Sequence, residues 1–120
     1  MRIVIATGDT DLRLAIQLML SEEPGISIIG SVSDCDGLNA LVKSTRPNYA
    51  LIDWALPGCR IDEVIENLKA GSRDTELKII VIARQQRVKE AALESGADEF
   101  IVIGDPPEKL LDVFRLLNVE

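Results

Sequence analysis

Leu51-Ile52-Asp53-Trp54-Ala55-Leu56-Pro57-Gly58 is the stretch whose reading decides the fold. The apolar run from Tyr49 to Ile52 has the character of a buried strand, and it delivers a carboxylate, Asp53, where that strand must stop. Pro57 removes a backbone donor and fixes its own φ, and Gly58 permits a sharp turn, so the strand cannot run on. An acid at the carboxyl end of a central strand lies where open α/β sheets bind ligands. Taken alone, Asp53 is equally a loop cap or a solvated side chain.

The sequence on either side alternates apolar strands with amphipathic helices. Arg2 to Ala6 is a continuous apolar run of strand type, and Asp9 or Thr10 can cap the helix after it. In that helix Leu12, Ala15, Ile16, Met19 and Leu20 recur at helical spacing until Pro24-Gly25. Ile26 to Ile29 reads as a second, edge strand. Ser33 to Asp36 can cap a second helix carrying Leu38, Leu41 and Val42, which closes before Pro47. Beyond Asp53, a third helix buries Ile61, Val64, Ile65 and Leu68 and ends at Gly71. Lys78 to Ala83 is β-branched almost throughout, as a strand buried on both faces is. A short helix over Gln86 to Glu94 stops at Gly96, and Phe100 to Ile103 forms the fifth strand. Pro106 and Pro107 open a last helix whose inner face is Leu110, Val113, Phe114 and Leu117. Such repetition implies right-handed crossovers and a parallel sheet covered on both faces, a flavodoxin-like (βα)5 fold in the order 2-1-3-4-5.

Composition narrows the possible functions. The 120 residues suit one domain, and 47% hydrophobic content excludes a disordered acidic tail despite a net charge of −7. With aromatics at 3%, the core must be aliphatic. The 13 basic residues are scattered, which argues against nucleic-acid binding by this domain. No apolar run approaches the ~18 residues of a membrane span, and the N-terminus is too short an apolar stretch for a signal peptide, so a cytoplasmic setting is expected. Cys35 and Cys59 lack CxxC spacing and a compact secreted context, and are expected to be free thiols. The absence of histidine removes Ser-His and Cys-His nucleophilic mechanisms and His-based zinc sites.

At several points the residues resemble the receiver domain of bacterial two-component response regulators. The resemblance rests on Leu51-Ile52-Asp53 with Leu56-Pro57-Gly58, on Gly96-Ala97-Asp98 ahead of the fifth strand, and on Pro106-Pro107-Glu108. Arg46-Pro47-Asn48-Tyr49, leading into the third strand, is similar to the family's Arg-Pro-Asp segment. Together these motifs span essentially the whole chain. Receivers are phosphorylated on the aspartate ending the third strand, which the resemblance places at Asp53. Two acids after the first strand help hold Mg²⁺, a Ser or Thr ends the fourth strand, and a Lys ends the fifth. An aspartyl phosphate concentrates negative charge, so a divalent cation and an ammonium must offset it.

Carried over residue by residue, most of that machinery is missing. The acid pair falls on Thr7 and Gly8, the hydroxyl on Ala83, the lysine on Ile103, and the usual Asp-Gly after the Pro-Gly turn on Arg60-Ile61. Asp53 and the aromatic position, Phe100, are kept. Losing one preorganised donor typically costs ~3–4 kcal/mol of transition-state stabilisation, and here two are lost. Asp9, one residue beyond the acid pair, is either a helix N-cap or a substitute ligand. Arg84 either points to solvent or pairs with Asp53 or Asp9. Trp54 is either a partner contact or an ordinary loop residue.

The resemblance therefore implies a degenerate receiver, a single domain over 1–120 that is whole or opens a longer regulator. It is expected to be no enzyme, to use no cofactor or Mg²⁺, and to bind a protein partner or itself. In the family, the face of the fourth helix, fifth strand and fifth helix commonly carries such contacts, here Arg87, Glu90, Phe100, Lys109 and Asp112. Two alternatives stand beside this: a working phosphoacceptor at Asp53 with an atypical Mg²⁺ site, and a small-molecule site at the sheet's carboxyl edge, where Thr7-Gly8-Asp9-Thr10 could offer backbone amides to an anion.

Overall fold

The computed structural model describes residues 1–71, 76–104 and 110–112. Five strands, β1 (Arg2–Ala6), β2 (Ser27–Val32), β3 (Tyr49–Asp53), β4 (Lys78–Ala83) and β5 (Glu99–Val102), pair in parallel in the order β2-β1-β3-β4-β5. Four helices, α1 (Thr10–Ser21), α2 (Cys35–Thr45), α3 (Ile61–Gly71) and α4 (Lys89–Ser95), connect them. Residues 110–112 are helical and Leu110 is buried. Of the expected last helix, Pro106, Pro107, Val113, Phe114 and Leu117 lie outside the described residues, as does Lys109.

The aliphatic composition produces two cores separated by the sheet. Alternate side chains point to opposite faces of a strand. Val4, Ala6, Ala50, Ile52, Ile79 and Val81 pack under α2, α3 and α4, whereas Ile3, Ile5, Leu51, Ile80, Ile82 and Ile101 pack against α1 and Leu110. All five residues of β3 are buried, because it has neighbours on both edges and helices on both faces. β2 runs three residues further than its sequence suggests, to Val32, past an irregularity that skips Ile29 between Ile3↔Ile28 and Val4↔Gly30. Gly30 is needed there: a Cβ would lie 2.9 Å from both Leu41 methyl carbons, so its absence lets α2 sit down on the edge strand. The helix expected over Gln86–Glu94 is a 3-10 turn at Gln86–Val88 running into α4.

Two of the motifs prove to have structural work. Asn48 joins the starts of three strands: its side chain accepts from Arg2 N at 2.7 Å, its N–H donates to Arg2 O, and its carbonyl accepts from Lys78 N. In Gly96-Ala97-Asp98, Gly96 takes the left-handed conformation (φ 117°) that ends α4, and Ala97 is buried. The Asp98 carboxylate then accepts from Ile79 N at 2.8 Å and Lys69 Nζ at 2.9 Å, fastening α3 and the β5 approach to β4.

The expectation of free thiols is corrected. Cys35 and Cys59 are joined by a disulfide, with Cα atoms 6.1 Å apart. Cys35 is the first residue of α2, and its N–H donates to the carbonyl of Pro57 (3.1 Å), which brings the loop after β3 against the helix. A sequence separation of 24 conceals that contact. No helix among the described residues is long and apolar enough to cross a membrane.

Candidate functional site

Asp53 ends β3 at the carboxyl edge of the sheet, between β1 and β4. The chain leaves β1 toward β2 on one side and enters β3 on the other, so this is the point where the strand order reverses and a crevice opens. The register pairs Ala6 with Ile52, which sets Thr7 beside Asp53. Both are buried, at 0% and 5% exposure.

Each oxygen of the Asp53 carboxylate accepts a hydrogen bond within the chain. Its Oδ2 accepts from Thr7 Oγ1 at 2.7 Å, and its Oδ1 accepts from the backbone N–H of Ala55 at 2.9 Å. Thr7 Oγ1 in turn accepts from Asp9 N at 3.1 Å. The turn itself is closed by Leu56 N donating to Asp53 O, and Trp54 N donates to Ile82 O. Among the described residues no buried side-chain polar atom lacks a partner, and no cation pairs with Asp53.

Asp9 is the N-cap of α1, accepting from Leu12 N at 3.1 Å. Its other oxygen lies 2.8 Å from Arg84 Nη2. The Leu12 amide and the Arg84 guanidinium hold this carboxyl below its usual range. Arg84 thus pairs with Asp9 and not with Asp53, and it bridges the β1–α1 and β4–α4 loops above the crevice.

A cavity of about 210 Å³ opens beside the acid, lined by Asp53, Trp54, Ala55, Ala83, Arg84, Gln85 and Val88. Ala83 presents only a methyl group there. Gln85 and Val88 were not singled out from the sequence, because the 3-10 turn that places them has no strong pattern. Ile103 is not part of this site. It packs into the core on the α1 side and lines a separate apolar cavity of about 300 Å³ with Leu12, Ile16, Met19 and Leu110. Gly8 lies under the neighbouring loop, where a Cβ would stand 3.2 Å from Pro57 Cδ. Trp54 is half-buried and packs on the α2–α3–α4 core instead of standing free.

On the far side of α4, Arg87 and Glu90 are exposed and, with Leu93, line a shallow groove. Phe100 is half-buried against the same core as Trp54. Asp112 is exposed on the last helix.

Known proteins share this fold. Residues 3–115 match the sequence profile of the response regulator receiver domain. The nitrate/nitrite response regulator protein NarL of Escherichia coli is 26% identical over 100 residues, covering 83% of this chain and 46% of NarL. The phosphate regulon transcriptional regulatory protein PhoB of Escherichia coli is 24% identical over 112 residues, 92% of this chain and 48% of PhoB. The chain spans about half the length of these curated relatives. In fold it is similar to the signal receiver domain of the putative response regulator NarL from Mycobacterium tuberculosis, with a TM-score of 0.84 at 20% identity over 99% of this chain and 97% of that one. The isolated receiver domain of RcsB from Salmonella enterica serovar Typhimurium superposes with a TM-score of 0.88 at 18% identity, covering 98% and 87%. With the sheet order, the acid at its switch point and a profile match over nearly its full length, the chain belongs to the response regulator receiver domain family.

Proposed function

We propose that this receiver is a phosphorylation-independent interaction module of a cytoplasmic signalling pathway, binding a protein partner without catalysing turnover. The observation that carries this is the state of Asp53: 5% exposed, hydrogen-bonded through its two oxygens to Thr7 and Ala55, and with no cation paired to it among the described residues. An acceptor needs to be open to the donor and to have cations placed where charge develops. Arg84, the cation lining the same cavity, pairs with Asp9, while Ala83 and Ile103 offer neither a hydroxyl nor an ammonium.

The donor set also does not fit Mg²⁺, which demands near-octahedral oxygen ligands. Thr7 gives a hydroxyl already bonded to Asp53, Gly8 gives no side chain, and Asp9 is divided between Leu12 N and Arg84. No group of three or more acidic, Cys or His side chains suited to a metal occurs among the described residues. The partner surface in this reading is the α4–β5 side, which carries Arg87 and Glu90 in one groove with Leu93, an apolar residue 40% exposed, and includes Phe100 and Asp112.

Incubation with acetyl phosphate and Mg²⁺, followed by intact mass measurement, tests the reading. The expected result is no phosphoryl adduct under conditions that modify an ordinary receiver run in parallel. An adduct that disappears in Asp53→Asn overturns it.

A further inference from the structure

The loop that holds Asp53 carries a second chemistry at its other end. Five residues past Ala55's neighbour Trp54, Cys59 is exposed and bonded to Cys35, which is 2% exposed and begins α2. We propose that this pair is a reversible thiol–disulfide site, exchanging with small thiols and their disulfides and controlling the loop around Asp53. The chemistry does not depend on whether Asp53 accepts phosphate; only the thiol-rich setting rests on the reading above. In a reducing compartment a disulfide is usually transient or redox-sensing, not a permanent staple.

The geometry assigns the two sulfurs different parts. A small thiolate reaches the exposed Cys59 Sγ, forms a mixed disulfide there, and the Cys35–Cys59 bond breaks with its electron pair on Cys35. Cys35 is buried at the start of α2, and solvent thiols do not reach it. A second small thiolate then attacks the mixed disulfide and frees Cys59. Two small thiols become one small disulfide, two electrons enter the protein pair, and the two protons end on Cys35 and Cys59. Oxidation runs the same steps backward, with Cys59 attacking the small disulfide.

The bond matters because of what lies between its ends and the acid. Trp54 and Ala55 line the cavity at Asp53, Pro57 rests on Gly8 beneath the β1 loop, and Gly58 is in the left-handed region (φ 99°). With the sulfurs parted, the Cys35 N to Pro57 O hydrogen bond is the remaining backbone tie from this loop to α2.

Equilibrating the protein in glutathione buffers of increasing reduced fraction, then alkylating and weighing it, is the direct test. The expected result is one transition from no label to two, within the range of ratios that glutathione takes in a cytosol. Cys35→Ser should collect one glutathione at Cys59, and Cys59→Ser none until unfolded. Amide hydrogen exchange over residues 54–60 should quicken on reduction by on the order of tenfold, with β1 and β3 unchanged. A bond that survives the most reducing buffer, or two labels at every ratio, overturns the proposal. Unchanged exchange over 54–60 overturns the coupling to Asp53. The unsubstituted chain supplies the titration and exchange data, so a variant that fails to fold removes neither. Phosphorylation at Asp53 would appear as a separate adduct and leave the thiol titration in place.

Discussion

Thr7 stands where the resemblance sets one of the family's acids, and from the sequence it registers only as a loss. In the structure it is a partner: its hydroxyl donates to Asp53 at 2.7 Å and accepts from Asp9 N at 3.1 Å. That bond spans 46 residues and exists only because β1 and β3 lie side by side in register, which the pattern of either strand cannot report. The sequence allows Arg84 three destinations for the same reason, since its pairing with Asp9 crosses 75 residues. The Asp53 position itself was legible, because the Pro-Gly turn marks where its strand stops. Replacing Thr7 by Val keeps the shape and removes the hydroxyl. Asp53 then loses one of its two hydrogen bonds while buried, and Asp9 N loses its acceptor. A hydrogen bond to a charged group in such a site is worth roughly 1.5–3 kcal/mol, so Thr7→Val should destabilise by about that much. Urea unfolding followed by Trp54 emission measures it. A midpoint equal to that of the unsubstituted chain would mean the bond contributes nothing.

Among the secondary-structure elements, apolar period and punctuation carried the reading. β1, β3 and β4 are continuous apolar runs ending at polar residues, and Asp9 and Asp34 cap α1 and α2 through their side chains. β2 and the start of α4 were harder, because an edge strand with an irregular register and a 3-10 turn both blur the period. The Cys35–Cys59 bond had no local signal at all. Gly96-Ala97-Asp98 could be recognised as a family motif without its reason being visible, and that reason is mechanical. Asp98 accepts from a strand amide and from Lys69, which also donates to Leu77 O at 3.0 Å. The two partners are not equal in weight. The ion pair is 30% and 25% exposed on its two sides and is screened, whereas Ile79 N is buried in the β4 backbone. Asp98→Ala should therefore cost roughly 1–3 kcal/mol, chiefly through the orphaned amide, and Lys69→Met clearly less. A double-mutant cycle on thermal unfolding separates the two. Equal single-variant costs would show that the charge pair, and not the amide, governs this junction.

For the molecule as a whole, strand–helix alternation and the absence of any aromatic-rich segment were enough to anticipate a doubly wound sheet, since few other layer arrangements bury so many aliphatic strands on both faces. Charge is the other property read directly from the residues, and the structure refines it. The net charge is −7, and three of the cations on the described surface, Arg60, Lys69 and Arg84, are turned onto carboxylates of the chain itself. The positive charge of these three is thus offset locally by the chain's own carboxylates. The curated relatives, which include a transcriptional regulatory protein, are about twice as long as this chain. The isolated chain should accordingly leave labelled duplex DNA unshifted in an anisotropy titration, even at low ionic strength where phosphate contacts are strongest. Binding whose logarithm falls linearly with the logarithm of salt concentration would contradict this, because its slope counts phosphates neutralised by lysines and arginines. A flat, salt-independent anisotropy leaves the acidic surface suited to protein contacts, with like charge opposing approach to nucleic acid.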